Sequence, residues 1–221
     1  MPCCQGQDFD RMFDARRARN DLRTYGKRGA RGATRRLLDA VLASVQERRI
    51  PDFTHLDIGG GVGVLQHELA RHGAVHTTAV DASRPYLEVL RQAAAERGYE
   101  ARQTRIEGDF TEVADRVEPA TVVTLDKVIC CYPDMVTLVR ASARKSAALY
   151  GIVIPRDAAW VRAAVGLANW FLRRALRRQF RAFAHSHRAI DRVCAEEGLC
   201  LDRGDSRVVW CVRVYRRVAA A

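Results

Sequence analysis

No stretch of this chain approaches the roughly 20 uninterrupted apolar residues that a membrane-spanning helix needs. The best runs are Ala147 to Ile154, which is short, and Val161 to Leu172, which contains Arg162. The opening residues Met1-Pro2-Cys3-Cys4-Gln5-Gly6 have neither a basic start nor an apolar run, so they do not read as a secretion signal. The expected location is therefore the cytoplasm. Also lacking are a C-x-x-C pair and a His-rich spacing of the kind that holds zinc, and no metal site is expected. The seven cysteines are odd in number and scattered through 221 residues, too large a chain to need staples, and are expected as free thiols. Internal repeats and low-complexity linkers are absent too, and nothing in the sequence speaks to oligomeric state.

What is present suits one domain over residues 1–221: 48% of the residues are hydrophobic, enough for a real core. The formal charge is +11, from 37 Lys plus Arg against 26 Asp plus Glu. Such a surplus attracts polyanions, acidic substrates or anionic lipid surfaces and is silent about fold.

Hydrophobic spacing supplies the elements. Residues 8 to 25 form a polar, arginine-rich helix with a weak apolar face (Phe9, Met12, Phe13, Ala18, Leu22), broken by Gly26, Gly29 and Gly32. From Thr34 a helix is marked by Leu37, Leu38, Val41, Leu42 and Val45 and stops at Ile50-Pro51. Strand and helix then alternate: strands at Phe53 to Ile58, Ala74 to Val80, Ala101 to Ile106, Ala120 to Leu125 and Ala148 to Ile154, with helices at Val64 to His72, Pro85 to Arg97 (capped by Ser83) and Pro133 to Ser146. This predicts an α/β fold, doubly wound, with a mainly parallel sheet covered on both faces. Arg156 to Phe183 reads as one or two amphipathic helices, with Leu172, Leu176, Phe180 and Phe183 on one stripe and Arg173, Arg174, Arg177, Arg178 and Arg181 on the other. A helix over His187 to Glu197 precedes strands at Leu199 to Arg203 and Arg207 to Val214, joined at Gly204-Asp205-Ser206 as a closing antiparallel hairpin, for seven strands in all.

The turn after the first strand is Asp57-Ile58-Gly59-Gly60-Gly61-Val62-Gly63. Glycines there let the backbone approach a ligand, and the helix N-terminus favours negative groups. A nicotinamide cofactor is disfavoured, because Val64 stands where the third glycine of G-x-G-x-x-G would fall. The spacing Asp57-x-Gly59-x-Gly61-x-Gly63 resembles instead the D/E-x-G-x-G-x-G motif of class I S-adenosylmethionine-dependent methyltransferases. Asp81 ends the second strand, Gly108-Asp109-Phe110 follows the third and Asp126 follows the fourth, at that family's relative positions. The resemblance implies that S-adenosylmethionine is the cofactor and that Asp81 accepts hydrogen bonds from both ribose hydroxyls. It further implies that Asp109 and Phe110 contact the adenine and that Asp57, Gly59, Gly61 and Gly63 surround the methionine part, with Asp126 at the same site.

On the acceptor side, Thr124 to Asp134 lacks the N/D-P-P-Y/F motif of enzymes that methylate exocyclic amines of bases. The segment around Cys131-Tyr132-Pro133 is similar to the I-H-Y-P segment of magnesium-protoporphyrin O-methyltransferases. The similarity extends to an arginine-rich first helix ending near Tyr25 (cap, residues 1–33) and to a helical insertion after the fifth strand (lid, residues 156–186). Where that group carries a catalytic histidine this chain has Cys131, and a thiol is no substitute for imidazole as a base near neutral pH. The expected acceptor is oxygen of an acidic or flat hydrophobic small molecule, with Tyr132, Cys131 and Tyr25 as candidates for handling it. Cys130-Cys131 is also open to soft-metalloid binding, nucleophilic chemistry or plain packing. The lid arginines suggest peripheral contact with an anionic membrane. Two rivals remain: an RNA methyltransferase, motivated by charge but lacking an RNA-binding module and aromatics among the arginines, and a non-catalytic cofactor-binding protein.

Overall fold

Residues 13–174 and 181–218 are described by the structure, a computed structural model. Two helices come first, α1 (Ala15–Arg28) and α2 (Gly32–Glu47). Five strand-then-helix steps follow: β1 (Thr54–Ile58), α3 (Val64–Arg71), β2 (His76–Asp81), α4 (Arg84–Glu96), β3 (Gln103–Glu107), α5 (Phe110–Val113), β4 (Ala120–Asp126), α6 (Met135–Arg144), β5 (Ser146–Pro155) and α7 (Ala159–Arg174). The chain closes with α8 (His187–Glu196), β6 (Leu199–Ser206) and β7 (Trp210–Arg217).

The seven strands lie in the order β3-β2-β1-β4-β5-β7-β6. The first five pair in parallel, while β7 runs antiparallel to both β5 and β6. This is the doubly wound, mainly parallel sheet with a closing antiparallel hairpin. Alternate side chains of each strand supply two cores. On β5, Leu149 and Val153 join Leu37, Leu38 and Val41 of α2 on one face, while Tyr150, Ile152 and Ile154 join Leu138 and Val139 of α6 and Ile190 and Val193 of α8 on the other. Gly151 is why α2 can sit so close: a Cβ there would meet Leu37 Cδ1 at 2.8 Å. Strand order reverses between β1 and β4, and in such sheets the crevice beyond the carboxyl ends at the reversal takes the ligand.

Two expectations are corrected. The first helix is Ala15–Arg28, so Gly26 lies inside it, Gly29 caps it and Gly32 opens α2. A helix tolerates an interior glycine at a cost of about 1 kcal/mol when its ends are well made, and here the Asp14 carboxylate accepts from the Arg17 N–H at 2.7 Å. Phe9 and Met12 lie outside the described residues, as do residues 175–180 and the side chains at 172 and 173, and with them most of the expected lid stripe. The hairpin turn is Arg207-Val208-Val209, closed by Arg207 N–H to the Trp210 carbonyl at 3.1 Å. Gly204-Asp205-Ser206 belongs to β6, where Gly204 pairs with Arg213. Their polarity suits an edge strand, and Asp205 accepts from Arg36 of α2 at 2.7 Å.

Candidate functional site

The turn from β1 into α3 crosses the β1/β4 reversal, and its backbone is open to glycine alone at three points: Gly59, Gly61 and Gly63 have φ of 62°, 58° and 76°. Gly60 is constrained differently. A Cβ there would fall 2.0 Å from Asp57 Oδ2, so the loop lies directly on that carboxyl. Asp57 is 1% exposed. Its Oδ1 accepts from the Thr124 hydroxyl at 2.7 Å, and that hydroxyl oxygen takes a bond from His55 Nε2 at 2.8 Å. Burial pushes the carboxyl up to about 7, against the Thr124 bond that favours its anion, and burial alone takes His55 down to about 3. His55 is therefore neutral and donates through Nε2. Asp57 Oδ2 is buried without a hydrogen-bond partner.

Asp81, at the end of β2, is positioned by the main chain. Its Oδ2 accepts from the Gly61 N–H at 3.0 Å and its Oδ1 from the Ser83 N–H at 2.8 Å. Burial raises this carboxyl too, opposed by those two donors. Asp109 caps α5, and its Oδ1 accepts from the Thr111 N–H at 2.9 Å, the Thr111 hydroxyl at 2.8 Å and the Tyr132 hydroxyl at 2.6 Å. Phe110 beside it is 2% exposed and fills the core while edging the cavity.

These groups surround a cavity of about 470 Å³ lined by Ile58, Gly59, Gly61, Asp81, Tyr86, Asp109, Phe110, Asp126, Val128, Cys131 and Tyr132, among others. Helix α1 and the residue before its cap form the outer wall: Phe13 meets the Tyr86 ring edge-on at 5.9 Å, and the Tyr86 hydroxyl donates to Asp21 at 2.6 Å. A second recess of about 440 Å³ lies on the other side of the glycine loop, with Asp57, Gly60, Thr34, Arg31 and Tyr25 in its lining, and it shares Asp126 and Lys127 with the first. Residues Thr34, Asp126 and Lys127 form one cluster there. The Thr34 hydroxyl donates to Asp126 Oδ2 at 2.5 Å and accepts from Lys127 Nζ at 2.9 Å, and that ammonium lies 3.0 Å from Asp126 Oδ1 and 5.8 Å from the Trp210 ring. Lys127 holds φ at 63°, a left-handed conformation unusual for a side chain of this kind.

Of the expected acceptor-side residues, Tyr132 and Cys131 face the first cavity and Tyr25 does not. The Tyr25 hydroxyl donates to Glu68 at 2.8 Å, and its ring stacks on His67 at 5.4 Å. Hydrogen bonding with Cys130 and burial push the Cys131 thiol up, so it is protonated near neutral pH. His185 donates from Nε2 to the Tyr132 carbonyl at 2.8 Å, and the Phe183 N–H donates to the Cys130 carbonyl at 2.7 Å. The sequence named Gly60 within the glycine turn, but Thr34, Lys127, Tyr86 and Asp21 were missed as parts of the site. Only Lys127 left a signal, by following Asp126 directly.

No curated protein matches the chain by sequence. Residues 56–147, from β1 into β5, match the methyltransferase domain family. The matched stretch covers less than half of the chain and includes the glycine turn, Asp81, Asp109 and Asp126, and a methyltransferase domain of this kind draws its methyl group from S-adenosylmethionine. Solved structures similar to this chain include magnesium protoporphyrin IX methyltransferase from Synechocystis PCC 6803 with bound SAH, at 17% identity and a TM-score of 0.71, covering 94% of this chain and 97% of that one. An S-adenosylmethionine-dependent methyltransferase from Clostridium acetobutylicum gives 11% identity and 0.65 over 92% and 99%. The [4+2]-cyclase SpnF gives 14% and 0.61 over 85% and 83%. At such identities the likeness is one of fold, and a fold shared with a cyclase leaves the acceptor to be argued from the site.

Proposed function

We propose that this methyltransferase transfers the methyl group to an oxygen that is already anionic, the carboxylate or other acidic oxygen of a flat, largely apolar small molecule. The residues present fit the cofactor. Asp81 keeps lone pairs for two ribose hydroxyls after accepting two N–H groups. Asp57 Oδ2, buried and unpartnered beside the second recess, fits a cationic group such as the amino group of the methionine part. Phe110 and Tyr132 fit a flat base, and Tyr132 holds Asp109 in place for it. When bound, S-adenosylmethionine supplies an electrophilic methyl on a sulfonium.

One observation carries the choice of acceptor: among the described residues lining the first cavity, every side chain that could act as a base is already engaged, Asp21 by the Tyr86 hydroxyl and Asp81 and Asp109 by the donors described above. The Cys131 thiol is protonated. The Tyr132 hydroxyl is committed to Asp109, and Asp126 is engaged by Thr34 and Lys127. An amine or alcohol would need its proton removed, whereas an anionic oxygen needs only to be positioned and partly stripped of water. Lys127 gives such an anion a positive partner, and Val128, Phe13 and Ile58 give it apolar walls.

The test is to incubate the protein with methyl-labelled S-adenosylmethionine and a small-molecule extract, then treat the labelled product with mild alkali. A carboxyl methyl ester releases labelled methanol. Label that survives mild alkali as an ether of an aliphatic alcohol or as an N-methyl group, or that enters RNA, overturns the reading.

A further inference from the structure

Helix α7 has its inward face satisfied, and among the described residues nothing covers its outward face. Val161 is 2% exposed, and Asn169 binds the returning chain on both sides of its amide, Nδ2 donating to the Ala182 carbonyl at 2.7 Å and Oδ1 accepting from the Ala182 N–H at 2.9 Å. Opposite stand Trp160, Leu167, Trp170 and Phe171, 50%, 67%, 61% and 52% exposed. At 3.6 residues per turn these four fall within about 100° of the helix circumference. Single exposed apolar residues are ordinary, but a row of four large ones on one helix marks an interaction surface.

The row does not cover the catalytic cavity. No described side chain of α7 lines either recess described above, and the Asn169 clamp fixes the helix with its aromatic side outward. A second apolar point lies nearby on the same edge of the sheet. Val208 and Val209, 72% and 39% exposed, form the β6–β7 turn, which is tied to the start of α7 by the Arg156 N–H donating to the Val209 carbonyl at 2.7 Å.

The surrounding charge selects the occupant. Between residues 156 and 188 the chain has eight arginines and one acidic residue, Asp157, which is paired with Arg162. A second copy would bring the same positive charge to the same place. An exposed row of Trp, Phe and Leu in so arginine-rich a stretch of sequence suits a surface with an apolar interior, an amphipathic boundary and negative headgroups. We infer that the outward face of α7, with the β6–β7 turn, docks this protein on an anionic lipid bilayer. This surface is separate from the cofactor cavity, so the inference stands apart from the acceptor reading.

Co-sedimentation of the full chain with phosphatidylcholine vesicles, with and without about one third phosphatidylglycerol, tests it, since anionic headgroups add attraction for each nearby arginine. Binding is expected with the anionic vesicles, weakening as salt is raised. Trp170→Ser with Phe171→Ser should reduce it at least about tenfold, and Leu167→Glu alone should have a similar effect. All these positions are exposed, so thermal midpoint and S-adenosylmethionine affinity should stay unchanged. Lipids brominated on their acyl chains should quench tryptophan emission in the parent and not in Trp160→Phe/Trp170→Phe. Equal binding to neutral vesicles, no binding at all, undiminished binding of the variants, or absent quenching each overturns the inference. So does light scattering that shows a dimer abolished by Leu167→Glu, or salt-sensitive RNA binding in place of vesicle binding.

Discussion

Two carboxylates near the ends of adjacent strands, Asp57 on β1 and Asp81 on β2, are prepared for a ligand in opposite ways. Asp81 is held by two main-chain donors, and on the proposed cofactor reading its removal would strip two ribose contacts to a charged acceptor, each worth roughly 1.5 to 3 kcal/mol. Asp81→Ala should therefore weaken S-adenosylmethionine binding at least about tenfold by calorimetry, and an unchanged affinity in a folded variant rejects that assignment. Asp57 is instead sealed under Gly60, with its carboxyl raised from 3.8 to about 7. The unfolded chain gives up this proton near 3.8 while the fold retains it to about 7, so stability present at low pH is lost as pH rises through that window. The loss is on the order of 4 kcal/mol for a group so buried. Asp57→Asn, neutral throughout, should flatten the pH dependence of the thermal midpoint between about 4 and 7, and parallel curves for the two proteins reject the shift. Both aspartates were legible in the sequence, Asp57 because it opens the glycine motif near the end of β1 and Asp81 because it ends β2. Thr34 and Lys127 were not, because the bond joining them spans 93 positions and no local pattern announces it.

At the scale of elements, α2 is fastened to the edge strand β6 by an acidic hub. Asp202 accepts from the Ser44 hydroxyl at 2.9 Å and from Arg48 at 2.5 Å, with Arg203 and Arg216 within 3.9 Å, and its side chain is 13% exposed. Asp202→Ala leaves a buried hydroxyl without its acceptor and several arginines without a counter-charge, so it should cost about 1 to 3 kcal/mol in urea unfolding. The comparison is Asp39→Ala, which breaks the exposed pair with Arg35 and should cost under about 0.5 kcal/mol. Equal losses from the two would reject the hub. The same contacts explain why the hairpin turn was misread. Asp202, Gly204, Asp205 and Ser206 have turn-like composition, yet the arginines of α2 and β7 give their side chains and backbone a strand's worth of partners.

For the molecule as a whole, the alternation of strands and helices was plain in the sequence because a parallel sheet buried on both faces writes long apolar runs, and the antiparallel closure followed from the two short final strands. What stayed hidden was how the ends of the chain enclose the site, since α1 contributes Asp21 and Tyr86 its ring through contacts that only the folded chain creates. The segment returning from α7 shows a related economy of design. It grips the loop after β4 through the carbonyls of Cys130 and Tyr132, not through their side chains. Carbonyls survive any substitution. A lineage descended from this sequence could therefore exchange the residues at 130, 131 and 132, and with them the acceptor it serves, while the fastening that closes the loop is inherited unchanged.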